Sequence, residues 1–238
     1  MNLILIPARF ASARFPGKPL VDLKGKPMIQ RVWEQACKAK GVDAVGVATD
    51  DRRIATVVKA FGGTAVMTPV SCVSGTDRIA RAARKWRLKD SDLVINVQGD
   101  EPLLPPKMIE ELVALMKKSG APMGTLCRAI RNSDEWASPN CVKAIYEGDR
   151  ALYFSRVQFK KSPKNSKGMG LHVGIYAYRW GFLKKLAKLR QTPMEKLERL
   201  EQLRVLENGY SIAIAETSLQ SQAVDTPTDA AKVRALIK

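Results

Sequence analysis

The sequence predicts an α/β fold, with a mixed, mainly parallel sheet flanked by helices. Three observations lead there. Short apolar runs at Leu3–Ile6, Ala44–Thr49 and Leu93–Val97 have the length and branching of buried strands. Between them lie amphipathic stretches of helical period, and strands alternating with such helices form βαβ units. Later in the chain CVKAIY, an Glu147-Gly148-Asp149 turn and ALYF read as a hairpin, so antiparallel strands join the sheet.

The elements follow in order. After the strand at Leu3–Ile6 comes a loop carrying Arg9, Arg14 and Lys18 among small residues, with Pro16 and Gly17 fixing its turn. PMIQRVWEQACKAK then reads as a helix with Met28/Ile29, Val32/Trp33 and Ala36/Cys37 on one face. Strand, cationic small-residue loop and helix is an arrangement that holds phosphates, because backbone N–H groups and fixed positive charge converge. It is not a Walker A loop, since Ser12 stands at the first glycine and Pro19 at the magnesium-binding hydroxyl. A solvated basic loop is the alternative.

The strand Ala44–Thr49 ends in Asp50-Asp51, DRRIATVVKAFGG is a helix stopped by Gly62-Gly63, and TAVMT is a third strand. In parallel sheets ligands lie beyond the carboxyl ends of strands, where the first loop and Asp50 fall. SGTDRIARAARKW, Ser74 to Trp86, is a helix capped by Ser74 or Thr76, and the Ser74-Gly75 pair permits close backbone approach. A plain helix start needs no ligand and, for this segment taken alone, is the favoured reading.

The strand Leu93–Val97 runs into Gln98-Gly99-Asp100-Glu101-Pro102, which sets a carboxylate and an amide just past the strand end. Asp100 suits magnesium, which takes carboxylate oxygen together with substrate phosphates, and an Asp-containing turn is the structural alternative. Met108–Lys118 is an amphipathic helix, GTLCRAI a strand, and HVGIYAYR (His172–Arg179) another. His172 is the sole histidine, more often a hydrogen-bonded core or surface residue than a ligand. Thr192 to Gly209 reads as one helix with a capping box at Thr192 and Glu195 and a core stripe of Leu197, Leu200, Leu203 and Leu206. IAIAET is the last strand, and a closing helix follows, capped at Asp225 or at Thr226, with Asp225 otherwise a second candidate metal ligand.

At 238 residues and 45% apolar content, with no repeat or linker, the chain reads as one domain, 1–238, with a smaller lobe at roughly 139–215. No run of about 18 apolar residues is present to insert in a membrane. The chain runs from Met1 straight into a strand, without the features of a signal peptide. Four cysteines without a C-x-x-C pair argue against a zinc site and read as reduced, mostly buried thiols, so a cytoplasmic protein is expected. The net charge of +17 admits nucleic acid, an anionic membrane surface or polyanionic small substrates. Only Lys160–Lys167 is a dense cluster, and it has no interleaved aromatics for stacking bases, so nucleic acid is not the expected partner. The polar, basic stretch from Val157 to Gly170 reads as a mobile loop.

Taken together, IPARFASARFPGKPL, GKPMIQRV, VATDD, SGTDRI, INVQGDEP, ALYFSR, HVGIYAYR, LEQLRVLENG and VDTP resemble the 3-deoxy-manno-octulosonate (Kdo) cytidylyltransferases, in that family's order from residue 4 to about residue 227. The resemblance implies a Rossmann-like nucleotidyltransferase fold whose smaller lobe carries the sugar side and dimer contacts. It implies a homodimer that uses CTP and Mg2+ to join CMP to the anomeric 2-hydroxyl of Kdo, releasing diphosphate ahead of lipopolysaccharide inner-core assembly.

By the same resemblance, Arg9, Lys18 and Arg14, with Ala8 beside them, hold the triphosphate, and Arg9 and Lys18 stabilise the leaving diphosphate. Ser74, Gly75, Thr76 and Arg78 form the cytosine pocket, Asp100 and Asp225 bind the metal, and Gln98, Arg156, His172, Tyr176, Glu201 and Gln202 hold the sugar. The resemblance thus moves His172 and Asp225 from structural to ligand roles. One departure stands out: VQFKKSPKNSKGMGL, between YFSR and HVGIY, is shorter and more basic than the family pattern. It leaves Kdo, its 8-amino analogue or a related acid sugar as alternatives, and a cationic loop beside an ammonium-bearing sugar is repulsive, which favours Kdo.

Overall fold

The computed structural model describes residues 1–11, 15–159 and 168–237. Nine strands form one sheet: β1 Asn2–Ala8, β2 Ala44–Thr49, β3 Thr64–Met67, β4 Leu93–Asn96, β5 Met123–Arg128, β6 Lys143–Glu147, β7 Arg150–Ser155, β8 Met169–Arg179 and β9 Ile212–Thr217. Their order is β3-β2-β1-β4-β8-β5-β9-β7-β6, and β6 also pairs with β8. The pairings make β7 and β8 run against the other seven, so the sheet is mixed with most strands in one sense.

β1 lies inside the sheet between β2 and β4, and Leu3, Ile4, Leu5 and Ile6 are each fully buried. A strand covered on both faces needs such a continuous apolar run. Leu3 and Leu5 join one core cluster, with Ile79 and Ala82 of α3 (Gly75–Ala82) and Leu183 of α6 (Trp180–Leu186). Ile4 and Ile6 join the other, with Ile29 and Val32 of α1 (Met28–Cys37), Ile54 and Val58 of α2 (Arg52–Ala60) and Leu112 of α4 (Pro106–Lys118). The alternation of side chains along β1 therefore distributes helices over both faces.

The caps follow local chemistry. Ser74 Oγ accepts from the Asp77 backbone N–H, so Ser74 and not Thr76 caps α3. Thr226 and Asp229 form a capping box at α9 (Pro227–Leu236), so capping there falls to Thr226 and leaves the Asp225 carboxylate outside that role. Gly17 has φ +72 and donates its N–H to the Phe10 carbonyl at 3.0 Å, closing the first loop with a backbone geometry that favours glycine.

Three expectations change. The single helix over 192–209 is two, α7 (Pro193–Glu198) and α8 (Gln202–Glu207), broken where Arg199 turns left-handed at φ 54. The break takes Leu197 out of the predicted stripe to 75% exposure, whereas Leu200 and Leu203 stay buried. Cys37 is exposed and Cys141 half-buried, so only Cys72 and Cys127 are buried thiols. A short helix, α5 (Ser133–Ala137), stands where none was expected, capped by Asn132. Among the described residues no helix is long and apolar enough to cross a membrane. The basic cluster 160–167 lies outside the described residues.

Candidate active site

Two adjoining depressions open at the carboxyl ends of β1 and β4. The larger, of about 500 Å³, is lined by Ala8, Arg9, Lys18, Ser74, Gly75, Arg78, Gln98, Asp100 and Asp225. The smaller, of about 270 Å³, is lined by Thr76, Asn96, Arg156, His172, Tyr176, Glu201 and Gln202, and shares Gly75 and Gln98 with the first. Of the candidate site residues named from the sequence, only Arg14 lies outside the described residues. The close join of β1 and β4 explains the glycine of QGDEP. A Cβ on Gly99 would come 2.7 Å from the Pro7 carbonyl oxygen, far inside contact distance.

In the cleft Lys18 is the electrostatic centre. Its Nζ donates to Asp100 Oδ2 at 2.7 Å and to Asp225 Oδ1 at 3.2 Å, drawing together carboxylates from distant parts of the chain. Among the described residues no group of three His, Cys, Asp or Glu side chains is disposed to hold a metal. Two carboxylates around one positive charge nevertheless fit magnesium, which keeps waters and takes its other ligands from substrate phosphates. Glu101, adjacent in sequence, takes a hydrogen bond from the Ser221 hydroxyl. Burial first, and then the Asp100 and Asp225 charges, push its carboxyl up to about 7, against the opposing pull of the Ser221 bond and Lys18.

Arg9 is exposed at the mouth of the cleft. Arg78 is 3% exposed at the base of the cleft, donating to Asp50 Oδ2 at 2.7 Å and Thr68 Oγ1 at 2.6 Å. Asp50, at the end of β2, thus acts on the cleft through Arg78.

Glu201 ties the two depressions together. It accepts from Ser74 Oγ at 2.9 Å and from Thr76 Oγ1 at 2.5 Å. Thr76, expected beside Ser74 on the nucleotide side, faces the smaller recess because its hydroxyl is turned to this carboxylate. Burial raises the pKa of Glu201 while the two hydroxyls oppose the rise.

Arg156 is held from beneath. Glu198 accepts from Ser155 Oγ at 2.7 Å and from the Arg156 backbone N–H at 2.9 Å. The guanidinium gives Nε–H to the Glu198 carbonyl and one Nη1–H to the Pro139 carbonyl, both at 3.0 Å. Of five N–H donors this leaves three on Nη1 and Nη2, the fork that grips a carboxylate. Burial, and secondarily the charge of Arg156, hold His172 down to about 3, so its imidazole is neutral. Tyr176 packs tilted at 5.3 Å from the His172 ring and directs its hydroxyl to Gln202 Oε1 at 3.5 Å.

Two polar atoms of the smaller recess are buried without a partner among the described residues, Asn96 Oδ1 and Gln202 Nε2. Unpaired buried groups are uncommon, and both belong to residues lining a recess, where a polar ligand would satisfy them. Asn96 was not legible as a site residue, because in the sequence it is only a polar interruption at the end of an apolar strand.

The chain resembles known proteins along nearly its whole length. Residues 3–214 match the family described as Cytidylyltransferase. A 3-deoxy-manno-octulosonate cytidylyltransferase of Syntrophotalea carbinolica is 47% identical, covering 98% of this chain and 97% of its own. An 8-amino-3,8-dideoxy-manno-octulosonate cytidylyltransferase of Shewanella halifaxensis is 48% identical over 96% of both chains. A solved CMP:2-keto-3-deoxy-manno-octonic acid synthetase, complexed with CTP, superposes with a TM-score of 0.91 at 44% identity, covering 99% of this chain and 97% of that one.

Proposed function

The chain belongs to the cytidylyltransferase family, and from that premise we propose that it transfers CMP from CTP to the anomeric 2-hydroxyl of Kdo, releasing diphosphate. The observation that carries this reading is the pair of adjoining depressions sharing Gly75 and Gln98. One offers fixed cations and two carboxylates for a metal-bound triphosphate. The other offers a guanidinium fork, a neutral imidazole, three amides (Asn96, Gln98 and Gln202) and a carboxylate for a polyhydroxylated acid.

CTP occupies the larger cleft in this reading. Arg9 and Lys18, with Arg14, hold the triphosphate, Ser74, Gly75 and Arg78 border the base, and Ala8 lines the strand end. The sugar sits in the smaller recess, its carboxylate on Arg156 and its hydroxyls on Gln98, His172, Tyr176, Glu201 and Gln202. Thr76 supports that side by fixing Glu201. Asp100 and Asp225 would hold Mg2+, which when bound supplies charge neutralisation of the phosphates and acidifies the attacking hydroxyl.

The 2-hydroxyl gives its proton to water, its oxygen bonds the α-phosphorus, and the bond from that phosphorus to the bridging oxygen breaks, releasing diphosphate. Holding both reactants in adjoining depressions removes the entropy of a two-body encounter. Arg9 and Lys18 stabilise the charge that grows on the leaving diphosphate. No protein nucleophile is required. We further read the chain as one nucleotidyltransferase domain that acts as a cytoplasmic homodimer upstream of lipopolysaccharide inner-core assembly.

The Shewanella halifaxensis relative supports a second reading, the same chemistry on 8-amino-Kdo. Diphosphate release from CTP and Mg2+ with each sugar in turn, and with UTP in place of CTP, separates the two. Turnover with Kdo and CTP supports the proposal, turnover with the amino sugar alone replaces the substrate, and silence with both overturns it.

A further inference from the structure

We infer that Thr125 sets the tautomer of His172, leaving the imidazole Nδ1 as a fixed hydrogen-bond acceptor for a sugar hydroxyl. The inference rests on the sugar-binding reading of the smaller recess for its ligand, though not for the tautomer.

The device is built into the strand pairing. Thr125 of β5 faces Tyr176 of β8, but the next residue, Leu126, faces Val173, so Gly174 and Ile175 form a bulge. Residues four apart in a regular strand stand about 13 Å apart. Here the rings of His172 and Tyr176 are 5.3 Å apart, so the bulge gathers both into one recess.

Beneath the bulge the Thr125 hydroxyl is fully buried, 2.8 Å from the Ile175 carbonyl, 3.2 Å from the Val173 carbonyl and 3.0 Å from His172 Nε2. Carbonyl oxygens only accept, and a hydroxyl has a single proton, so that proton is committed to the strand backbone. The Thr125 oxygen then presents a lone pair to Nε2, which must carry the imidazole proton. The opposite tautomer would turn the Thr125 proton to the ring and leave an unshielded oxygen against the Ile175 carbonyl. A neutral imidazole has one N–H, so Nδ1 is bare, and no described residue donates to it. The low basicity of the buried ring keeps it in this form at neutral pH. Phe154 also packs against the ring, edge-on at 5.1 Å. Thr125 does not line the recess and is a positioning residue.

His172 is the sole histidine of the chain, so its ring nitrogens can be read without assignment by ¹⁵N NMR of the histidine-labelled, ligand-free protein. The wild type and Thr125→Ser should show a protonated Nε2 and a bare Nδ1 that persist from pH 8 to pH 5. Thr125→Val keeps the shape and removes the hydroxyl, and should shift the ring toward the Nδ1–H form or a mixture. With substrates, Thr125→Val should raise the sugar KM about tenfold, the scale of one lost hydrogen bond, with the CTP KM unchanged and Thr125→Ser near wild type. A protonated Nδ1 in the wild type overturns the inference, as does a Thr125→Val protein that keeps the wild-type tautomer. The wild-type spectrum decides even if the valine variant does not fold. Absence of turnover with any sugar would instead count against the proposed function, since the spectrum is taken without substrate.

Discussion

Replacing Lys18 with methionine should move two properties in opposite directions. In the free protein its ammonium stands between Asp100 and Asp225, and the two distances of 2.7 and 3.2 Å bound the gap between those carboxylate oxygens at 5.9 Å. The side chains are 14%, 30% and 40% exposed, so solvent screens the pairs, and each is worth about 1 kcal/mol rather than the several expected in a dry interior. A divalent cation entering between the carboxylates must compete with that ammonium. Removing it should release about 2 kcal/mol of competition and tighten Mg2+ binding to the nucleotide-free protein by about 30-fold. Turnover should meanwhile fall by at least about 100-fold, because the triphosphate and the departing diphosphate lose a fixed cation. Calorimetric titration of Mg2+, or Mn2+ titration followed by electron spin resonance, reads the first effect, and diphosphate release reads the second. Unchanged or weaker metal binding in Lys18→Met would refute the placement of the metal between these two aspartates.

Other consequences follow from the same residues. Glu101 holds its proton up to about 7, above its ordinary 4.5, so ionising it costs the folded state. The wild type should lose stability as pH rises from about 4.5 to 7, by about 3 kcal/mol at most, and Glu101→Gln should gain on it across that window and then run parallel, as metal-free denaturation would show. Asp50→Ala strips the carboxylate from a guanidinium that is 3% exposed, and should cost about 3–5 kcal/mol in urea denaturation with the m-value unchanged. A loss under 1 kcal/mol would mean that Arg78 finds another partner. Glu201→Gln cannot accept two hydroxyl protons equally, so the KM for the sugar should rise more than that for CTP, and an equal rise in both would count against Glu201 as a sugar-side residue.

Much of the framework was legible because local chemistry and tertiary packing agree. The bounds of β2 and β9, the Thr192–Glu195 box and the Gly148 hairpin turn all follow from residue type and spacing, and the α3 cap was narrowed to Ser74 or Thr76. The cleft was legible at its rim, since loops after parallel strands converge and the motifs sit on those loops. What could not be read depends on contacts between distant segments. Arg199 breaks a helix without glycine or proline to announce it, and Glu198, at the end of α7, is drawn to Ser155 and the Arg156 backbone. The bulge at Gly174–Ile175 exists only in the pairing of β5 with β8, so neither Thr125 nor the approach of His172 to Tyr176 is visible in either strand alone. Thr76 likewise looked like a neighbour of Ser74 on one side, and only the position of Glu201 turns it to the other.

The central claim is that the two depressions bring an anomeric hydroxyl to the α-phosphorus of CTP. The most direct measurement is ³¹P NMR of the reaction of CTP, Mg2+ and Kdo carrying ¹³C at C2. A new phosphodiester resonance split by coupling to C2, growing one for one with free diphosphate, is the predicted result. Diphosphate accompanied only by unsplit CMP would mean that water, and not the sugar, reaches the phosphorus, and would contradict the assignment of the smaller recess.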